Sequence, residues 1–175
     1  AFFKRVVERA RRRRVDVYIE NKELYFPDIL LEFYPELVHD GHICASDPFW
    51  LEFLKVKYRD FFQEFPEVAG IITAPATGES RVSIQSNRCQ CERCRAMKKE
   101  DWFDQVLRAM YGPVHDAGKT LVVRDFVFDP QTHGEIAKVM ERLPEDVVIS
   151  LKNTPHDYFP TFPDNERIGH VGDHR

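Results

Sequence analysis

Glycine is scarce, eight in 175 residues, and none of it forms a GxGxxG or P-loop run. That removes the usual backbone cradle for a dinucleotide or a nucleoside triphosphate. No apolar stretch approaches the roughly 18 residues that span a bilayer. No signal peptide is visible either; the compartment stays open, with the cytoplasm favoured, and no membrane partner is expected. Cationic excess is missing too. Lys and Arg total 25 against 29 Asp and Glu, a net charge of −4. That balance argues against nucleic acid as a main partner, because phosphate-binding surfaces carry positive charge. The one basic run, RARRRR (Arg9 to Arg14), closes an expected helix, where cations suit the C-terminal end of the dipole.

What is present is a core and a repeat. Hydrophobic residues make up 43% and aromatics 13% of the chain, enough for one domain with a real interior. The aromatics suit a sugar-stacking site and a large aromatic core equally. Residues 2–13 have helical spacing, and residues 14–20 read as a strand. Asp47-Pro48 opens a second helix, FWLEFLKVKYRDFFQEF, with Trp50, Phe53, Leu54, Tyr58, Phe61 and Phe62 along one side. Strands are expected at 68–75, 119–129 and 146–153. Helices are expected at 101–117, disturbed at Gly112-Pro113, and over THGEIAKVMERL.

Strand and helix therefore alternate four times, and three strands are short apolar runs with little alternation, the mark of parallel strands covered by helices. The strand ends are polar. The first runs into Glu20, Asn21, Lys22 and Glu23, and the second into Thr77, Gly78, Glu79, Ser80 and Arg81. The third carries Arg124 and Asp125, and the fourth Lys152, Asn153, His156 and Asp157. In a (β/α)₈ barrel all strand C-termini open on one face, where the chemistry sits. The expected fold class is α/β, a partial (β/α)₈ TIM barrel of about four β/α units. Residues 1–175 would be roughly half of a single catalytic domain, cut just after the fourth strand.

Two carboxylates across such a pocket are what glycosidic cleavage needs, one to protonate the leaving oxygen and one to activate water or attack the sugar. Glu79 and Asp157, after the second and fourth strands, are the candidates. Arg124 and Lys152 supply fixed positive charge for a substrate carboxylate. Asp125 and His156 border the same ends as further substrate contacts. Singly, each residue also has a plain structural role as a turn cap, loop residue or ion-pair partner.

The segments VVRDFVFD and VVISLKNTPHDYF resemble the α-glucuronidase family of glycoside hydrolases, family 67. That family has an Arg-x-Phe-Val segment and an apolar strand ending Lys-Asn-Gly-Pro shortly before a catalytic-base Asp. Upstream, CASDPFWLEFLKVKYRDFFQEFPEVAGIITAPATGES resembles the stretch leading to the family's acid. The likeness implies an inverting glycosidase acting on glucuronosyl side chains of xylan-type oligosaccharides or polysaccharides. It implies Glu79 as general acid, Asp157 as general base, and Arg124 and Lys152 as holders of the uronic carboxylate. It also implies a second activating carboxylate beyond residue 175, so that this chain alone is inactive, and no required cofactor. The chain departs from the family in the order Gly78-Glu79-Ser80, in Thr154, and in its cysteines.

Those cysteines form a CxCxxC run, Cys89, Cys91 and Cys94, with Cys44 far upstream. Thiolates so spaced can share a structural zinc, with Cys44, His42 or His115 as fourth ligand. A disulfide or free thiols are the alternatives. Two rival readings follow: a non-catalytic carbohydrate-binding or structural barrel stapled by this metal, and a barrel enzyme with catalytic zinc.

Overall fold

Four strands lie side by side in the order in which the chain makes them. The computed structural model of the protein describes residues 2–127, 129–153 and 164–174. Helix α1 (Phe2–Arg12) buries Val7 and sets Phe3 edge-on to Phe65 at 5.0 Å. Strand β1 (Tyr18–Glu20) follows. The connection after it holds α2 (Ile29–Phe33) and an antiparallel hairpin, β2 (Val38–His39) and β3 (His42–Ile43). Asp40 and Gly41, with φ of 50° and 76°, make its turn. Positive φ at both positions is the two-residue type I′ geometry that Asp-Gly favours.

Helix α3 (Phe49–Glu64) opens where Asp47 Oδ1 accepts the Phe49 N–H at 3.0 Å, as the Asp-Pro signal predicts. It stops ahead of Pro66, whose ring disfavours helix at the preceding residue. Trp50, Leu54, Tyr58 and Phe62 recur every fourth residue and are all buried. Strand β4 (Gly70–Thr73), α4 (Glu92–Ala96), α5 (Lys99–Asp116) and β5 (Thr120–Arg124) come next. Then α6 (Pro130–Met140) leads to β6 (Val148–Ser150). Asp129 caps α6 by accepting the Thr132 N–H at 2.8 Å.

The disturbance expected at Gly112-Pro113 does not interrupt α5, which runs on through Pro113. The proline removes one ladder hydrogen bond, but Phe103, Leu107, Met110 and Val114, buried on either side of it, hold α5 in register. A Cβ at Gly112 would meet nothing within 4 Å. Gly112→Ala should therefore stabilise the fold by about 0.5–1 kcal/mol, raising the melting temperature by about 1–4 °C. A lower melting temperature would contradict this account of α5.

The strands pair parallel in the order β1-β4-β5-β6. Ile19, Ile71 and Leu121 lie in one row, and Thr73, Val123 and Ile149 in another on the same face. All but Ile19 are buried. Glu20, Ile72, Val122 and Val148 form a row on the opposite, less covered face. Helix α3 packs on α5 and α5 on α6, so the helices follow the strands in order over the buried face. Right-handed crossovers return each helix to one side as long as the strand order never reverses. The strands are three to five residues long, shorter than the sequence predicts. Their ends still pair singly, Asn21 N–H to Ile72 O at 3.0 Å and Asp125 N–H to Ser150 O at 3.2 Å. Among the described residues no helix is long and apolar enough to cross a membrane.

Candidate functional site

The C-terminal strand ends gather a mixed set of charges on one rim. Glu23, just past β1, is a buried carboxylate, 2% exposed. One of its oxygens accepts the Thr73 hydroxyl and, at 3.0 Å, the Ala74 N–H; the other accepts the Ser80 hydroxyl at 2.7 Å. Glu23 thereby fixes the loop that carries Glu79. Its neighbour Lys22 makes an ion pair with Glu79. Glu79 is nearly half exposed, and the hydrogen bond from Lys22 holds its carboxyl below the usual range.

Beneath this loop, Lys57 donates to Glu23 O at 2.7 Å, and burial pulls its ammonium down to about 8. Tyr58 accepts the Asn21 amide at 3.0 Å, and burial pushes its phenol well up. The sequence names Glu23 only as part of a polar strand end. Lys57 and Tyr58 carry no separate signal, because a helix pattern shows which side is apolar but not what a lysine on it touches.

Across the rim, Arg124 bonds Glu20 at 2.8 Å and lies 5.6 Å from the Phe126 ring. Lys152 is buried, its Nζ 3.9 Å from the same ring centroid. Asp125 is 3% exposed and fully engaged. Its Oδ1 accepts the Lys152 N–H at 2.7 Å, while Oδ2 meets His133 Nε2 and the Asn165 amide, each at 3.0 Å. Asp125 therefore holds the end of β6 in place beneath the rim. Arg124 and Lys152, expected together at neighbouring strand ends, both lie over the Phe126 ring, a residue the sequence does not single out. His156 and Asp157 lie outside the described residues.

The second cluster is sulfur. Cys44 comes from the loop after β3, Cys89 and Cys91 from the loop before α4, and Cys94 from α4 itself. Their four Sγ atoms lie within 4.8 Å of one another, close enough to hold one metal ion. Cys44 Sγ is 3.6 Å from both Cys91 Sγ and Cys94 Sγ. Disulfide sulfurs stand about 2.05 Å apart, and these thiols are free. Zinc–thiolate bonds of about 2.3 Å at tetrahedral angles place sulfurs about 3.8 Å apart, close to the observed spacing. The fourth partner is thus Cys44. His42 is exposed on β3, and His115 faces Asp116 and Asp146 at the end of α5.

Each thiol sits in a prepared frame. Trp50 Nε1 donates to Cys44 O and Trp102 Nε1 to Ala45 O, both at 2.8 Å. The Cys94 N–H donates to Cys91 Sγ at 3.4 Å, and Ser46 Oγ lies 3.1 Å from Cys94 Sγ. Burial pushes the Cys94 thiol up, but hydrogen bonds from Ser46 and the neighbouring cysteines outweigh it and bring it to about 6. Burial pushes Cys89 up to about 12 and raises Cys44 as well. A bound cation would reverse these last two shifts, because coordination favours the thiolate.

No family model and no curated protein matches the chain. A cavity of about 610 Å³ opens between α3 and α5 beside Lys119, which directly precedes β5. It therefore lies toward the N-terminal end of the sheet, away from the charged rim.

Proposed function

We propose that this chain forms four β/α units, roughly half, of a (β/α)₈-barrel glycoside hydrolase that acts with inversion on uronic-acid-bearing oligosaccharides of the xylan class. The observation that supports it is the rim. Four parallel strands follow chain order, and Glu20, Lys22, Glu79, Arg124 and Lys152 all stand at or just beyond their C-terminal ends. A barrel collects those ends on its catalytic face.

In this reading Glu79 protonates the departing oxygen and Asp157 activates the attacking water. Arg124 and Lys152 hold the uronate, with His156 beside it and Asp125 fixing Lys152 from below. The Lys22 ion pair sets a condition on the acid. An ionised Glu79 has no proton to give, so the uronate must draw Lys22 away and the sugar must cover Glu79 before it takes one up. Cys44, Cys89, Cys91 and Cys94 hold a structural zinc whose coordination they close, leaving it no part in the reaction.

In a protein that carries the whole barrel, release of glucuronic acid from glucuronosyl xylo-oligosaccharides is expected to fall by at least about a hundredfold in Glu79→Gln and in Asp157→Asn, with the melting temperature unchanged. Undiminished release from both variants would end the hydrolase reading. One observation favours a rival, the non-catalytic sugar-binding barrel: Lys22 keeps Glu79 in the wrong protonation state for an acid. Sugar binding by the whole-barrel protein without release from any linkage would favour that rival.

A further inference from the structure

Helix α1 carries charge out of proportion to its length. Residues 1–14 hold Lys4, Arg5, Arg9, Arg11, Arg12, Arg13 and Arg14 against Glu8 alone, a charge of +6 that leaves −10 on the rest of the chain. Lys4 is engaged by Glu64 and Arg12 by Glu8. Among the described residues Arg5, Arg9, Arg11 and Arg13 have no acidic partner. One or two cations satisfy a helix dipole; this set exceeds that need.

The placement of the cations is regular. Phe3, Val7 and Ala10 turn toward the protein, with Val7 buried. Arg5, Glu8, Arg9 and Arg12 lie opposite them on the outward side, with Phe2 and Val6 along its edge and Arg13 in the turn just past the helix. Phe2 is 79% exposed and Val6 42%. Arg5, Arg9, Arg12 and Arg13 line, together with Glu8, a shallow groove of about 440 Å³, so its net charge is +3. At a rise of 1.5 Å per residue, Arg5 stands about 6 Å from Arg9 and about 10.5 Å from Arg12 along the axis.

We infer that the outward face of α1 is a docking surface for a uronate-bearing polysaccharide, apart from the strand-end rim. Each guanidinium can take a carboxylate bidentately, and Phe2 offers an exposed ring to a pyranose face. The identity of the sugar rests on the function proposed above; the anionic character of the partner rests on charge alone. A duplex with one charge per roughly 1.7 Å would meet the strongest repulsion from the acidic body. A bilayer would find only two exposed apolar side chains on this stripe, too few to anchor an 11-residue helix. A polymer with sparser carboxylates suits both constraints. Held at α1, it would raise the local concentration of its side chains at the rim without any new contact there.

The test is calorimetry on the whole chain with glucuronoxylan, neutral xylan and free glucuronic acid. The wild type is compared with the quadruple variant Arg5→Gln, Arg9→Gln, Arg12→Gln, Arg13→Gln and with Arg124→Gln. The four arginines are exposed, so the variant should keep its melting temperature. Expected are at least tenfold weaker and less salt-dependent binding of glucuronoxylan in the quadruple variant, with glucuronic acid binding unchanged. Arg124→Gln should weaken glucuronic acid instead. Equal glucuronoxylan affinity in the quadruple variant and wild type overturns the inference. Tighter binding of duplex DNA or phosphatidylserine vesicles than of glucuronoxylan overturns it as well. Absent glucuronic acid binding, with polymer binding still dependent on the four arginines, leaves the α1 surface standing and removes the rim reading.

Discussion

Removing metal from the four-cysteine site is expected to lower the melting temperature by about 8–16 °C. The figure follows from linkage: free zinc at a thousand times its dissociation constant stabilises a fold by about 4 kcal/mol, and 1 kcal/mol shifts the midpoint of a domain this size by about 2–4 °C. The thiols join segments far apart in the chain. Cys44 follows the hairpin, and Cys91 lies 47 residues further on. Without an ion, three buried sulfurs, Cys44, Cys89 and Cys94, are left with weak S–H contacts. Acid should release the metal as well, since protons compete for the thiolates. Both tryptophans donate to the Cys44–Ala45 backbone, so indole emission should move together with the melting curve. Elemental analysis finding no zinc in protein purified without chelator, or identical melting and emission after chelation, would refute the assignment.

Gly70→Ala is expected to destabilise the fold by at least about 3 kcal/mol, or to abolish soluble expression. Gly70 stands in β4, between β1 and β5. A Cβ there would lie 2.1 Å from Thr120 O and 2.8 Å from Tyr18 Cε1. The tyrosine ring can rotate away, but the carbonyl belongs to the neighbouring strand and moves only if the sheet opens. Its φ is not in the left-handed region, so the requirement is for space and not for backbone freedom. Chemical denaturation checks the value, with Gly112→Ala as a control that should move the midpoint the other way. A Gly70→Ala protein as stable as wild type would mean that β1 and β5 do not approach as described.

Much of the frame is legible in the sequence. Trp50, Leu54, Tyr58 and Phe62 announce α3 through their fourfold spacing, and the Val and Ile runs announce β4, β5 and β6. Asp47 acts as a cap because a short carboxylate before proline has little else to do at a helix start; Asp129, read as the end of a strand, caps α6 for the same reason. The hairpin is missed because two-residue strands cannot display an alternation, although Asp40-Gly41 is its signal. The five-residue α4 is hidden by the cysteine run in which it lies. Partners distant in sequence are the harder part. Cys44 stands out from His42 and His115 only once the loops are folded. The Lys22–Glu79 pair spans 57 residues, and nothing in either local sequence points to the other. Glu23 looks like one more surface acid until Thr73, Ala74 and Ser80 surround it.

Asp125 also bears on the order of assembly. Its carboxylate joins the backbone of Lys152, the imidazole of His133 and the amide of Asn165, and the last of these lies 40 residues downstream. Contacts that close long loops form late, because chain entropy opposes them until local structure is in place. On a growing polypeptide, the outer edge of the sheet at β6 therefore stays unsecured until the asparagine has been synthesised, and a stall before that point would leave a buried anion short of one donor.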